Sequence, residues 1–311
     1  MRVLVTGGTG MVGCAFRSTQ EDQFIKVGSS SFDLSNFTDC LNLISKHRPD
    51  AVIHLAAKVG GVKGNTDYVA DFYTENILIN TYLLEACRWY KVSKVVSLLS
   101  TCIYPDSAKY PLTEEQIHGG EPHESNFGYA YAKRMLHIQS KAYRKQYGCN
   151  YVCAVPNNIF GKGDNFDLEN GHVIPAIIRK IYEAKKNNNP SVTFWGDGTP
   201  LREFTYNQDI ANALVFLLKN YDESMPVNIG NTKEVSIRHV VEKVSKIYGY
   251  EGEILWDTSK PSGQFRKPSS NQRFIDLGWD ESSYTSLDSG LKFTCKWFAD
   301  NYPNVRGLIT N

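Results

Sequence analysis

Three Tyr-x-x-x-Lys pairs stand in the chain: Tyr90 with Lys94, Tyr129 with Lys133 and Tyr182 with Lys186. On a helix the two members of such a pair share one face. A lysine one turn from a tyrosine, whose ordinary pKa is about 10, stabilises the phenolate, so the tyrosine can hand a proton to a carbonyl oxygen. The spacing alone does not choose among the pairs. Tyr129 is singled out by position, because it follows an apolar run over 95–99 that ends at the hydroxyl of Ser100 and it opens a helix-period segment. Ser100, Tyr129 and Lys133 are therefore the expected catalytic group, with Tyr131 on the wrong face of the same helix.

Proton delivery to a carbonyl needs a hydride to accompany it, and the beginning of the chain offers a place for the donor. Gly7-Gly8-Thr9-Gly10-Met11-Val12-Gly13 follows the apolar run 3–6. Gly7, Gly10 and Gly13 are spaced so that backbone N–H groups can approach a pyrophosphate where a helix begins. A tight strand-to-helix turn without a ligand would read the same way. The next strand closes on Gly28-Ser29-Ser30-Ser31, where an NAD site would present a carboxylate to the ribose. Hydroxyls at Ser29 and Ser30 suit a 2′-phosphate, which favours NADP, and Asp33 is placed at the adenine end. His54-Leu55-Ala56-Ala57 ends another apolar strand with small residues, as expected where backbone passes a cofactor; His54 itself reads equally as a hydrogen-bonded core residue.

Elements able to position these groups follow from periodicity. Runs at 3–6, 24–28, 51–55, 95–99 and 151–155 read as strands, separated by helix-period segments at 36–47 (Ser35 as N-cap), 67–90 and 129–146. Such alternation implies a doubly wound, Rossmann-type parallel α/β sheet. Beyond Pro156 the texture changes to a helix from 173, a strand over 192–195, a glycine turn at 196–200, and helices near 209–220 and 237–248. The expected organisation is a dinucleotide-binding domain over 1–160, with 204–228 returning to it, and a smaller mixed α/β substrate lobe from 161–203 and 229–311. The segment 257–271, rich in Ser, Pro, Lys and Gly, reads as a mobile loop able to close over a ligand.

Bulk properties exclude several classes. With 34 Lys and Arg against 33 Asp and Glu, the net charge is +1, which gives no field for nucleic acid. No apolar run reaches the roughly 20 residues that span a membrane, and Gly7 arrives too soon for a signal-peptide core. The 7 cysteines are dispersed, odd in number and without a CxxC pair, so they read as reduced thiols of a cytoplasmic protein. No histidine spacing suits a metal, and none is expected.

Five segments carry a resemblance: Ser100-Thr101-Cys102-Ile103-Tyr104-Pro105, Tyr129-Ala130-Tyr131-Ala132-Lys133, Asn165-Phe166, Gly171-His172-Val173-Ile174-Pro175, and Trp195-Gly196-Asp197-Gly198-Thr199-Pro200-Leu201-Arg202-Glu203-Phe204. Over nearly its whole length the chain resembles the extended short-chain dehydrogenase/reductase family, in the branch of nucleotide-sugar epimerase-reductases. That resemblance implies a GDP-sugar substrate, GDP-4-keto-6-deoxy-D-mannose, epimerised at C3 and C5 and then reduced at C4 by NADPH to GDP-L-fucose.

The family pattern makes Cys102 the base and His172 the acid, with Ser100 and Tyr129 polarising O4 and Lys133 also holding the nicotinamide ribose. Taken alone, Cys102 reads more often as buried filler and His172 as a hydrogen-bonded loop residue. The resemblance also places Pro156, Asn158 and His172 against the cofactor, Trp195 against the nucleotide, and Lys180, Arg202 and Lys267 around the sugar's diphosphate. Ser262 departs from the pattern, since relatives commonly carry aspartate there. A homodimer built on helices 67–90 and 129–146 is implied, with Leu78, Tyr82, Leu136 and Tyr143 as candidate apolar surface, although a core role fits them equally. A 4-epimerase, 4-reductase or 4,6-dehydratase of the same fold is the nearest alternative, against which Cys102 and His172 argue. A non-catalytic NADP sensor is the alternative of another class.

Overall fold

The structure, a computed structural model, describes residues 1–259 and 265–308. Its strands are β1 (Arg2–Thr6), β2 (Gln23–Val27), β3 (Ala51–His54), β4 (Lys94–Leu98), β5 (Tyr151–Pro156), β6 (Asn158–Phe160), β7 (Ser191–Trp195), β8 (Leu201–Tyr206), β9 (Val227–Ile229), β10 (Glu234–Ser236) and β11 (Glu253–Asp257). The helices are α1 (Phe37–His47), α2 (Val62–Asp67), α3 (Val69–Trp89), α4 (Phe127–Tyr147), α5 (Val173–Lys186), α6 (Asn207–Asn220), α7 (Ile237–Tyr248), α8 (Gln272–Asp276) and α9 (Leu287–Asn301). Among the described residues no helix is long and apolar enough to cross a membrane.

Six strands form one parallel sheet in the order β2-β1-β3-β4-β5-β9. Because helices cover both faces, the inner strands β3, β4 and β5 are buried along their length rather than alternating, whereas the edge strand β2 keeps Gln23 and Lys26 exposed. Period-two geometry still sorts them. Val3, Val5, Ile53 and Val96 face α6, whereas Leu4, Val52 and Val95 face Leu43 and Ile44 of α1, Leu84 of α3 and Leu136 of α4. Truncating Ile44 or Leu84 to Ala at such fully buried positions costs about 2–5 kcal/mol. A third core, built on Phe166, Ile178, Phe194, Phe204 and Phe298, holds α5, α7 and α9 against the short sheets β10-β8-β6 and β11-β7.

The structure corrects the sequence reading in four places. First, the glycine turn opens no α-helix: a single 3-10 turn, Gly13–Ala15, gives way to extended backbone at Phe16. Beyond Phe16, Ser18 and Thr19 hold the chain in a loop that leads into β2, Ser18 Oγ accepting from the Phe24 N–H (3.0 Å) and Thr19 Oγ1 from that of Asp22 (3.1 Å). Lys26 Nζ instead satisfies the carbonyl of Phe16 at 2.9 Å, and Phe16 fills the space beside α6. Second, the N-cap of α1 is Asn36, which accepts from Asp39 N–H, and not Ser35. Third, the helix expected over 67–90 starts at Val69, because a break at Tyr68 separates it from the short α2 before it.

Fourth, most of the residues left open between a dimer surface and the core pack against the core. Leu136 is buried, Tyr82 packs on Phe37, and Tyr143 donates to Glu85 at 2.7 Å while packing on Tyr151; Leu78 is half-buried. Ser262 lies outside the described residues. The described end of its segment is pinned, since Leu112 N–H donates to Pro268 O and Ser270 N–H to Leu112 O, at 2.8 and 2.9 Å.

Candidate active site

Of the three Tyr-x-x-x-Lys pairs, Lys94 begins β4 rather than continuing the helix of Tyr90, and Tyr182 with Lys186 lies in α5. Tyr129 and Lys133 occupy the first turns of α4, which packs so closely on α3 that a Cβ at Gly128 would come within 2.7 Å of Val69 O. Lys133, 2% exposed, donates to the Leu98 carbonyl at 2.8 Å and lies 6.0 Å from the centroid of the Tyr129 ring. Burial pushes Lys133 down to about 8. Burial likewise raises Tyr129, opposed by a hydrogen bond from Ser100, so the phenol holds its proton at neutral pH. Ser100 stands at the end of β4 in extended conformation and caps the 3-10 turn Thr101–Ile103, its Oγ accepting from Cys102 N–H at 3.3 Å.

The same turn exposes part of Cys102. Lys267 lies within electrostatic reach of Cys102, Arg202 and Asp106, and its own desolvation lowers its pKa. His172 caps α5 and keeps half its side-chain surface open, while the carboxylate beside it, Asp164, is buried; Nδ1 and Oδ1 are 4.0 Å apart. The neighbouring Asp164 carboxylate holds the imidazole above its ordinary value, against desolvation. His54 is closed off between Thr6 Oγ1 (2.8 Å) and Asn80 Oδ1 (3.0 Å), and burial drives it down to about 3, so it is a neutral core residue.

A dinucleotide has a fitting cradle among these residues. Gly7 takes φ +65°, and a Cβ there would strike Ala56 N at 2.9 Å; one at Gly13 would strike Gly7 O at 2.3 Å. Among the described residues the N–H groups of Met11 and Val12 carry no hydrogen bond, and a Cβ on Gly10 would meet only Gly7 O. Unpaired donors beside open space are what an anion requires. Ser29 and Ser30 are exposed past β2, with no carboxylate between them. Asp33 is engaged by Ser35, whose N–H (2.9 Å) and Oγ (2.6 Å) both donate to it. Leu55, Ala56 and Ala57 remain half-buried after β3, Pro156 ends β5, and Asn158 is exposed with its amide donating to Glu203 O.

Toward the lobe, Trp195 ends β7 with 65% of its surface exposed, far more than a core aromatic. Lys180 donates to Thr193 O at 3.0 Å and lies over the Phe194 ring, which ties it to the same strand. Arg202 spends one nitrogen on the carbonyls of Leu201 and Phe265. Residues that sequence reasoning passed over are Asp164 beside His172, Arg134 beside Lys133, and Glu203, which accepts from both N–H and Oγ of Ser269 at 2.9 and 2.6 Å. An acidic residue next to Arg202 in an apolar strand, and an arginine at an inward helix position, were the available signals.

Taken together, a parallel dinucleotide sheet with Ser100, Tyr129 and Lys133 at the carboxyl ends of its strands defines a class, and the chain belongs to the NAD dependent epimerase/dehydratase family, whose model matches residues 3–230. Within that family it is similar to GDP-L-fucose synthases. The one from Dictyostelium discoideum is 42% identical, covering 98% of this chain and 97% of its own. The one from Escherichia coli strain K12 is 35% identical over 98% of this chain and 99% of its own. A crystal structure of a GDP-L-fucose synthetase from Naegleria fowleri bound to NADP superposes with a TM-score of 0.92 at 36% identity, covering 98% and 94% of the two chains.

Proposed function

We propose that this chain is an epimerase-reductase that converts GDP-4-keto-6-deoxy-D-mannose to GDP-L-fucose with NADPH. The observation that carries the reading is that one short turn after β4 presents both Ser100, in contact with Tyr129, and Cys102, near Lys267. NADPH, when bound, supplies the hydride that reaches C4. The C4 ketone acidifies its neighbouring carbons. Cys102 removes the C3 and C5 protons while His172, whose pKa Asp164 raises, returns protons from the opposite face, and Ser100 and Tyr129 hold the enolate oxygen. In the reductive step Tyr129 gives its proton to O4, and the Lys133 ammonium stabilises the phenolate left behind.

Binding follows the same division. Residues 1–160 with 204–228 hold the dinucleotide: Met11 and Val12 donate to the pyrophosphate, and Ser29 and Ser30 meet the 2′-phosphate. The lobe, 161–203 and 229–311, holds the GDP-sugar, with Trp195 stacked on the nucleotide and Lys180, Arg202 and Lys267 neutralising the diphosphate. The enzyme works in the cytoplasm, a reading supported by its 7 free cysteines. It pairs as a homodimer through α3 and α4, where Tyr73, Phe127 and Met135 line an apolar groove of about 550 Å³.

The deciding experiment incubates the enzyme with GDP-4-keto-6-deoxy-D-mannose, follows NADPH absorbance and identifies the sugar by NMR. Wild type yields GDP-L-fucose, Tyr129→Phe loses reduction, and Cys102→Ser loses mainly inversion at C3 and C5. NADPH left untouched by wild type would defeat the reading in favour of an enzyme that recycles its cofactor.

A further inference from the structure

Adjacent residues of α4 grip both ends of the turn that carries Ser100 and Cys102. Lys133 holds the upstream end at Leu98 O. Arg134, 3% exposed, holds the downstream end: its Nε donates to Ile103 O at 2.6 Å, and its Nη1 reaches Gly120 O at 2.7 Å. The loop at Gly120 lies over Pro105, 3.3 Å from where a glycine Cβ would stand. Just past the upstream grip Leu99 N–H pairs with Ala154 O of β5 (2.8 Å); from Ser100 on, the turn is tied to itself by Cys102 N–H to Ser100 Oγ (3.3 Å), Ile103 N–H to Ser100 O (3.1 Å) and Tyr104 N–H to Thr101 O (3.3 Å).

Arg134 has no carboxylate partner among the described residues, and its Nη2 is buried without a hydrogen bond. Its ring neighbour, Tyr131, lies 5.4 Å from the guanidinium carbon. Burying a cation on carbonyl oxygens alone is costly. A leucine or methionine would fill this helix position at lower cost, so cohesion of the fold does not account for the guanidinium. What only a planar fork of donors can do here is join two carbonyls from separate segments and so fix the residue preceding one of them.

We propose that Arg134 is the positioning residue for Cys102, fixing the thiol against C3 and C5 of the sugar by clamping the Ile103 carbonyl to α4 and to the Gly120 loop. The proposal rests on the epimerase reading of Cys102. It separates the two half-reactions: Ser100 and Tyr129 are held from the Leu98 side, whereas Cys102 adjoins the carbonyl that Arg134 grips. Misplacement by about 1 Å is enough for a hundredfold loss in rate.

The test compares Arg134→Met, which removes both donors, with Arg134→Lys, which can reach one carbonyl. Deuterium incorporation at C3 and C5 from D2O is followed by NMR without NADPH, so that reduction plays no part. Exchange kcat should fall about 10- to 100-fold in Arg134→Met, with KM for the sugar and NADPH affinity (by fluorescence titration) within twofold of wild type, and Arg134→Lys should recover a part of it. Alkylation of Cys102 by iodoacetamide, read by mass spectrometry, should change at least fivefold in Arg134→Met. Exchange and alkylation within twofold of wild type in folded Arg134→Met would overturn the proposal. So would loss of folding in both variants, which would make Arg134 a residue of the fold. Wild type that exchanges no deuterium would sink the epimerase reading instead, and an altered alkylation rate would then still support the clamp.

Discussion

Lys133→Met should make the protein more stable and useless at once. Burial lowers the Lys133 ammonium from 10.5 to about 8. At 1.36 kcal/mol per pH unit, holding it charged in the fold at neutral pH costs about 3 kcal/mol. With the side chain 2% exposed, solvent does little to soften that cost. Methionine keeps the stem and removes the charge, but it leaves Leu98 O without its 2.8 Å donor, a loss of about 1–2 kcal/mol. The balance favours the variant by about 1–2 kcal/mol, or roughly 2–3 °C in Tm for a chain of this length. Because the folded pKa lies below the unfolded one, wild-type stability climbs as pH rises from about 8 to 10.5. The variant's advantage is therefore full below pH 8 and fades across that window. Differential scanning calorimetry of both proteins at about pH 7 and about pH 10 measures it, alongside an NADPH assay in which reduction should fall by about 10²–10⁴. A variant that melts several degrees lower at neutral pH, or whose advantage does not shrink with pH, would refute the reasoning.

Other outcomes follow from the site. Asp164→Asn removes the group that raises His172, so the high-pH limb of deuterium exchange at C3 and C5 should move to lower pH; an unmoved limb would show that the imidazole is not the acid. Trp195→Ala should raise KM for the GDP-sugar by about 5- to 100-fold with kcat retained, given the usual worth of stacking a base on an aromatic ring, about 1–3 kcal/mol. Met135→Lys, on the exposed face of α4, should yield monomers by light scattering, whereas Leu136→Lys should unfold the chain.

How much could be read beforehand varied with the physics involved. The central strands were found to within a residue or so because both of their faces are buried, leaving unbroken apolar runs such as Val95-Val96. Tyr129 could be chosen over Tyr90 and Tyr182 because its place after a strand, and not its spacing, distinguishes it. Helical spacing did not say whether Leu136 meets the core or a partner, since either would demand an apolar residue. The pairing of Asp164 with His172 arises in an aperiodic loop, where chain geometry rather than pattern decides which groups meet. The helix expected after Gly13 is replaced by a loop in which the hydroxyls of Ser18 and Thr19 accept from amides on the way into β2, a local competition that periodicity does not show.

That missing helix changes what ionic strength can do to the enzyme. A full helix would lend the dinucleotide about half a unit of positive charge, a field that dissolved ions weaken. On the proposed reading the anion is left to the N–H groups of Met11 and Val12, which would act at hydrogen-bonding distance, well inside the Debye length of about 8 Å at physiological salt. NADPH affinity thus hangs on the shape of a seven-residue loop held by Gly7, Gly13 and the Lys26 tether to Phe16. Added salt should disturb it little, whereas anything that loosens the loop, from heat to Lys26→Met, should disturb it greatly.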